Sequence, residues 1–215
     1  MKTLKFEGVF ARGDVPNHRD EHTALLYDHS MVIFGGFKND GERSNDIYRY
    51  IFKENRWEKI EVQGSVKPQP RAGHSAVLVE DMMIIFAGKT NGDERLNDVW
   101  MFNFLSLQWA YVKVPEAPLE RSGHSASMYR DYMVVFGGIY EVTKELNDLC
   151  LFDIRNKRWI FLFEETHSPV AKKSGGLAGN LGASMESKDD ASPHSQKKGG
   201  FLDSNYSLIK PMGKL

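Results

Sequence analysis

What the chain lacks narrows its class before any motif is read. Cysteine is almost absent. Cys150 is the one cysteine in 215 residues, which excludes a disulfide scaffold and a Cys-based zinc cluster and fits a reducing compartment. An excess of either charge sign is also missing. Lys and Arg number 28 against 29 Asp and Glu, for a net charge of -1. Composition therefore gives no reason to expect a nucleic-acid or membrane partner. No apolar run approaches the roughly 18 residues of a membrane span. The opening Met1-Lys2-Thr3-Leu4-Lys5 carries charge where a signal peptide needs an apolar stretch. What remains, 41% hydrophobic and 12% aromatic, is the balance of a globular protein, and a cytoplasmic setting is expected.

What is present is a repeat. Arg19-Asp20-Glu21-His22-Thr23-Ala24 recurs as Arg71-Ala72-Gly73-His74-Ser75-Ala76 and as Arg121-Ser122-Gly123-His124-Ser125-Ala126. A small pair starts 13 residues after each His: Gly35-Gly36, Ala87-Gly88, Gly137-Gly138. Eight residues then separate each pair from Asn45-Asp46, Asn97-Asp98 and Asn147-Asp148, and Trp57, Trp109 and Trp159 follow each Asp by 11. Only the stretch from Trp to the next Arg varies in length. A fixed period of this kind is the mark of a repeat architecture.

Each unit reads as four strands. The first runs from His22 to Tyr27. The second is a continuous apolar run, Met31-Val32-Ile33-Phe34, repeated as Met83-Ile84-Ile85-Phe86 and Met133-Val134-Val135-Phe136. Without alternation, such a run implies burial on both faces. Ile47 to Phe52 alternates as a half-buried third strand, and Trp57 to Val62 forms the fourth. Four short strands per roughly 50 residues, each sheet covering the next, describe propeller blades. The expected fold is all-β: three four-stranded antiparallel blades over 18–69, 70–119 and 120–164, preceded by 1–17 and followed by a low-complexity, disordered tail over 165–215.

In these residues the chain resembles the Kelch-repeat proteins: a second strand ending in Gly-Gly, Asn-Asp before the third, and Trp opening the fourth. Its Arg-x-x-His-Ser/Thr-Ala opening is closer to the repeats of host-cell factor and leucine-zipper-like regulators than to the BTB-Kelch type. The resemblance implies a non-catalytic interaction module; relatives of this kind serve as ubiquitin-ligase adaptors, cytoskeletal organisers and small-GTPase regulators. The rival reading is a fragment of a galactose-oxidase-like propeller enzyme using a metal. That chemistry needs a tyrosine crosslinked to cysteine beside ligating histidines. Cys150 lies inside a third strand, and no His or carboxylate cluster stands outside the repeat positions. The expectation is no enzyme, no cofactor and no metal.

The repeated residues are expected to be structural. Gly36, Gly88 and Gly138 never vary, consistent with positive φ or close backbone approach, whereas Ala87 in place of Gly35 and Gly137 suggests that the first position does not require positive φ. His22, His74 and His124 are expected to hydrogen-bond neighbours rather than ring a metal. Arg19, Arg71 and Arg121 suit ion pairs with Asp46, Asp98 and Asp148. The tryptophans suit the blade interface, with each N–H finding a partner.

Antiparallel order puts the loops between second and third strands on the same face as the interblade connectors, and length varies only there. Binding residues concentrate on such loops. Arg43, Lys89, Arg95 and Lys144 are candidates to meet anionic groups of a protein partner, and Tyr140 to anchor an apolar contact. Three blades fall short of the about four to eight of a closed propeller. Phe6-Glu7-Gly8-Val9-Phe10 is placed where the fourth strand of a preceding blade belongs. Exposed end faces predict self-association of two chains, blades supplied by another protein, or a truncated product, with the last slightly favoured. Ser168-Pro169 and Ser192-Pro193 are candidate phosphorylation sites, and Phe201 to Ile209 reads as tail rather than docking segment.

Overall fold

The computed structural model describes residues 5–163. The tail from 165, its two Ser-Pro dipeptides and the Phe201–Ile209 segment lie outside the described residues. The strands are β1 (Arg12–Gly13), β2 (Arg19–Asp20), β3 (Thr23–Tyr27), β4 (Ser30–Phe34), β5 (Phe37–Lys38), β6 (Ile47–Ile51), β7 (Arg56–Ile60), β8 (Ser75–Val79), β9 (Met82–Lys89), β10 (Arg95–Asn103), β11 (Gln108–Val112), β12 (Ser125–Tyr129), β13 (Tyr132–Tyr140), β14 (Lys144–Asp153) and β15 (Arg158–Phe163). Three antiparallel sheets follow chain order: β3-β4-β6-β7, β8-β9-β10-β11 and β12-β13-β14-β15. These are the three expected blades. The inner strands β3, β8 and β12 lie against one another in series.

The core lies between the sheets. In β9 successive side chains serve opposite neighbours. Met83 and Ile85 join Val32, Phe34, Ile47, Phe102, Phe104 and Trp109 against blade 1. Ile84 and Phe86 join Val99, Met101, Val112, Met133, Val135, Cys150, Phe152 and Trp159 against blade 3. A strand covered on both faces has no polar side to show, which is why its sequence does not alternate.

The same three contacts close both joints. His74 Nε2 is hydrogen-bonded to Thr23 Oγ1 of blade 1 at 2.9 Å, and His124 Nε2 to Ser75 Oγ of blade 2 at 2.7 Å. The imidazoles thus reach the preceding blade rather than their own. Phe34 packs against the rings of His74 and Trp109 at 5.1 and 5.0 Å, and Phe86 against those of His124 and Trp159 at 5.3 and 4.6 Å. Finally, Gly73 N–H donates to Glu21 C=O and Gly123 N–H to Gly73 C=O at 2.9 and 2.8 Å. The tryptophans meet the expectation only in part. Phe34 and Phe102 enclose Trp109, and Phe86 and Phe152 enclose Trp159. Among the described residues neither indole N–H has a hydrogen-bond partner, because the packing around both rings is aromatic.

Two further expectations are corrected. Gly35, Ala87 and Gly137 all have positive φ, at 68°, 59° and 65°, so the first position of the pair is left-handed even where it is alanine. Across it the ladder slips between Phe86↔Val99 and Gly88↔Leu96, a bulge facing Asn97-Asp98. The pair's second glycines have φ of 97°, 100° and 101° and are also tightly approached, as expected. Phe6 to Phe10 forms no strand, and Phe6 and Phe10 are exposed. With no third strand beside it to complete a ladder, the N-terminal segment instead pairs β1 in parallel with the outer edge of β7.

Candidate functional site

The left-handed residue before each Gly has a purpose: its carbonyl turns toward the repeat arginine. Gly35, Ala87 and Gly137 carbonyls accept from Nη1 of Arg19, Arg71 and Arg121 at 3.0, 2.9 and 3.0 Å. Each Nε donates to the carbonyl two residues upstream, on Asn17, Gln69 and Leu119. In blades 2 and 3 the guanidinium fork is completed by Asp98 at 2.7 and 2.9 Å and by Asp148 at 2.7 Å on both oxygens. Arg71 and Arg121 are fully buried. Burial pushes the Asp148 carboxyl up, but the Arg121 fork outweighs it and holds the group below the usual range. Blade 1 departs from the expected pairing. Asp46 is held by Lys59 at 2.9 Å and by the Ser44 hydroxyl, and Arg19 lies over the Tyr48 ring instead. Lys59 sits where the other blades carry Tyr111 and Phe161, so only blade 1 has this alternative cation.

These braces fix one rim. Asn45 Nδ2 donates to Pro68 C=O and Asn97 Nδ2 to Pro118 C=O, tying each second-to-third-strand loop to the following connector. The two loop classes therefore do share a face.

On that face the candidate residues form two groups. Arg43 is drawn into its surroundings, its side chain only 11% exposed. It stacks on Phe37, its Nη2 donates to Asp93 at 3.1 Å, and its N–H donates to Asn91 Oδ1 at 2.6 Å. Lys89 reaches the same Asp93 at 2.8 Å. Asn91 in turn donates to Glu42. Blades 1 and 2 are thus laced together across their loops. Lys89 first and Arg43 after it hold the Asp93 carboxyl below its ordinary range. Arg95 is half-buried near the base of the same hairpin, paired with Lys89 in the ladder. Tyr140 and Lys144 stand apart at the end of the β13–β14 hairpin, the ammonium 5.8 Å from the ring centre, beside the exposed Val142. The negative charge of Glu141, then burial, pushes the Tyr140 hydroxyl up. Sequence reasoning singled out the cations and passed over Asp93, Asn91 and Glu42. The Lys89–Asp93 spacing was visible within one loop, but the cross-blade partners are not neighbours in the chain.

The three histidines do not converge on one point, since each belongs to a different blade edge and His74 and His124 are taken up by hydroxyls. Among the described residues, no group of three or more His, Cys, Asp or Glu could hold a metal ion. No helix among them is long and apolar enough to cross a membrane.

A family model described as the KLHDC2/KLHL20/DRC7 Kelch-repeats domain matches residues 1–180. The leucine-zipper-like transcriptional regulator 1 homolog of Drosophila melanogaster is 34% identical over 119 residues, covering 52% of this chain and 12% of that protein. The dynein alpha chain of the flagellar outer arm of Chlamydomonas reinhardtii is 32% identical over 116 residues, 51% of this chain and 2% of its own length. An F-box/kelch-repeat protein of Arabidopsis thaliana is 31% identical over 107 residues, 46% of this chain and 22% of that protein. The chain spans a minor part of the length of each. With repeated braces, matching blades and a family match over most of its length, the chain belongs to the Kelch-repeat family.

Proposed function

We propose that the chain is a non-catalytic interaction module that offers its connector face to a protein partner in the cytoplasm. The observation carrying this is the lacing of unrepeated loop residues from blade to blade, Arg43 to Asp93 and Asn91 to Glu42. Exposed ion pairs of this kind contribute little to stability. Their effect is to order an irregular surface before a partner arrives, which lowers the entropic cost of binding. Arg43 acts as the internal brace; Lys89, Arg95, Tyr140 and Lys144 are the contact residues. Relatives named as a transcriptional regulator, an F-box protein and a Rho GTPase-activating protein carry similar repeats within quite different chains, as suits a portable binding surface.

Proximity labelling tests this. The intact chain is compared with a Lys89→Glu/Tyr140→Ala/Lys144→Glu variant, and with Lys157→Glu on the opposite rim as control. Loss of a defined set of neighbours in the triple variant alone is the expected result. Identical neighbour sets in all three overturn it. Stoichiometric copper or iron in the purified protein would overturn the non-catalytic reading.

A further inference from the structure

Both internal joints repeat the same contacts, and the two outer faces carry the unused halves of a third. On the face of blade 3 turned away from blade 2 lie Val134, Phe136, Leu149, Leu151 and Leu162. Each sits 50 residues after Ile84, Phe86, Val99, Met101 and Val112, which pack on blade 3. Phe86 is fully buried, yet Phe136 is 52% exposed. Ser125 holds the position of Thr23 and Ser75, and no imidazole meets it among the described residues. Asn147 holds that of Asn45 and Asn97 but is exposed, with no connector carbonyl to receive it.

The outer face of blade 1 supplies what is missing. Leu26, Tyr50, Phe52 and Trp57 precede Leu78, Phe102, Phe104 and Trp109 by 52, and those four pack against blade 1. Leu26 is 69% exposed and Phe52 is exposed as well. His22 is exposed where His74 and His124 are buried, and no hydroxyl meets it among the described residues. Pro16 lies three residues before Arg19, as Pro68 and Pro118 lie before Arg71 and Arg121. One face therefore presents a phenylalanine, a serine hydroxyl and an asparagine amide. The other presents the His–Trp pair and the connector carbonyl that receive these groups inside the molecule.

We propose that two copies of this chain dock head to tail, blade 3 of each on blade 1 of the other, through two identical joints. At each joint Phe136 enters between His22 and Trp57 of the partner copy, and Ser125 binds the His22 imidazole. The number of copies follows from closure. Heterologous contacts form a ring only where rotation closes, and propellers close with about four to eight blades. Two copies give six blades, and three would exceed that range. The faces concerned are distinct from the connector rim, so this joint and the rim's partner binding fail or succeed separately.

Light scattering after size exclusion, over a concentration series, tests the proposal. The wild-type chain is expected at twice its 24.5 kDa. Phe136→Glu and Leu26→Glu, both at exposed positions, are each expected to raise the dimer dissociation constant by about 100-fold. Mixing these two variants restores a mixed dimer, because one of its joints then keeps both apolar faces. A thermal transition like the wild type's shows that each variant is folded; if glutamate unfolds the chain, Phe136→Ser and Leu26→Ser provide the same readout. A monomer at all concentrations, an open-ended ladder of masses, a dimer indifferent to both substitutions, or no rescue on mixing would each overturn the proposal.

Discussion

At the scale of single residues, the glycine pair separates two demands that look alike. Ala87 and Gly88 both have positive φ. At Gly88, a Cβ would stand 2.8 Å from His74 Cβ and 2.9 Å from Ala72 O, so steric overlap adds to backbone strain. At Ala87 the methyl is already accommodated, and only the left-handed conformation is unfavourable. Gly88→Ala is therefore expected to cost about 2–4 kcal/mol. Ala87→Gly is expected to be near neutral, since relief of roughly 1 kcal/mol of strain offsets the loss of about 0.8 kcal/mol from one buried methyl. Denaturant unfolding of the two variants measures the difference; equal effects would contradict it. This position also shows where sequence reading went astray. Replacement by alanine suggested an ordinary conformation, but alanine is small enough to tolerate a left-handed one when the surrounding bulge and the Arg71 hydrogen bond hold it there.

At the scale of the element, the arginine brace ties each blade's entry segment to its second and third strands. Arg121→Met would leave the Asp148 carboxylate and the Gly137 carbonyl without their fork, and breaking a buried pair in this way costs about 3–5 kcal/mol. Arg19→Met is expected to cost about 1 kcal/mol, the net worth of an ordinary hydrogen bond, since Asp46 keeps Lys59 and Ser44. Chemical denaturation of both variants distinguishes the cases, and a comparable loss at Arg19 would mean that the first brace matters as much as the others. The pairing in blades 2 and 3 was legible from Arg-x-x-His and Asn-Asp alone. Its failure in blade 1 depends on Lys59 of an outer strand reaching across the sheet, a contact that no spacing within the motif encodes. The strands themselves were legible because burial on two faces leaves a periodic trace. Phe6 to Phe10 misled because an apolar stretch in repeat register still needs a ladder to join.

At the scale of the whole molecule, stability resides between sheets rather than within them, and each internal joint closes on an imidazole that must stay neutral. Burial above all, then the Arg121 charge, with Asp148 opposing, lowers the His124 pKa to about 3. His74 is pushed well below its ordinary 6.5 by burial first, then by Arg71 and the neighbouring histidines. A histidine whose folded pKa is depressed binds its proton more readily when unfolded, so its contribution is complete above pH 6.5 and is lost as pH falls toward the folded value. For His124 alone, lowering the pH to 4.5 removes about 2.7 kcal/mol at 1.36 kcal/mol per unit. Carboxylates titrate mainly below that point, so a decline between pH 6.5 and 4.5 reports on the joints. Unfolding free energies measured across this window are expected to fall steeply in the wild type. His124→Gln, whose amide can still meet Ser75, is expected to flatten the slope while the share from His74 remains. Constant stability from pH 6.5 to 4.5, or an unchanged slope in His124→Gln, would show that the blades do not rely on neutral imidazoles to stay together.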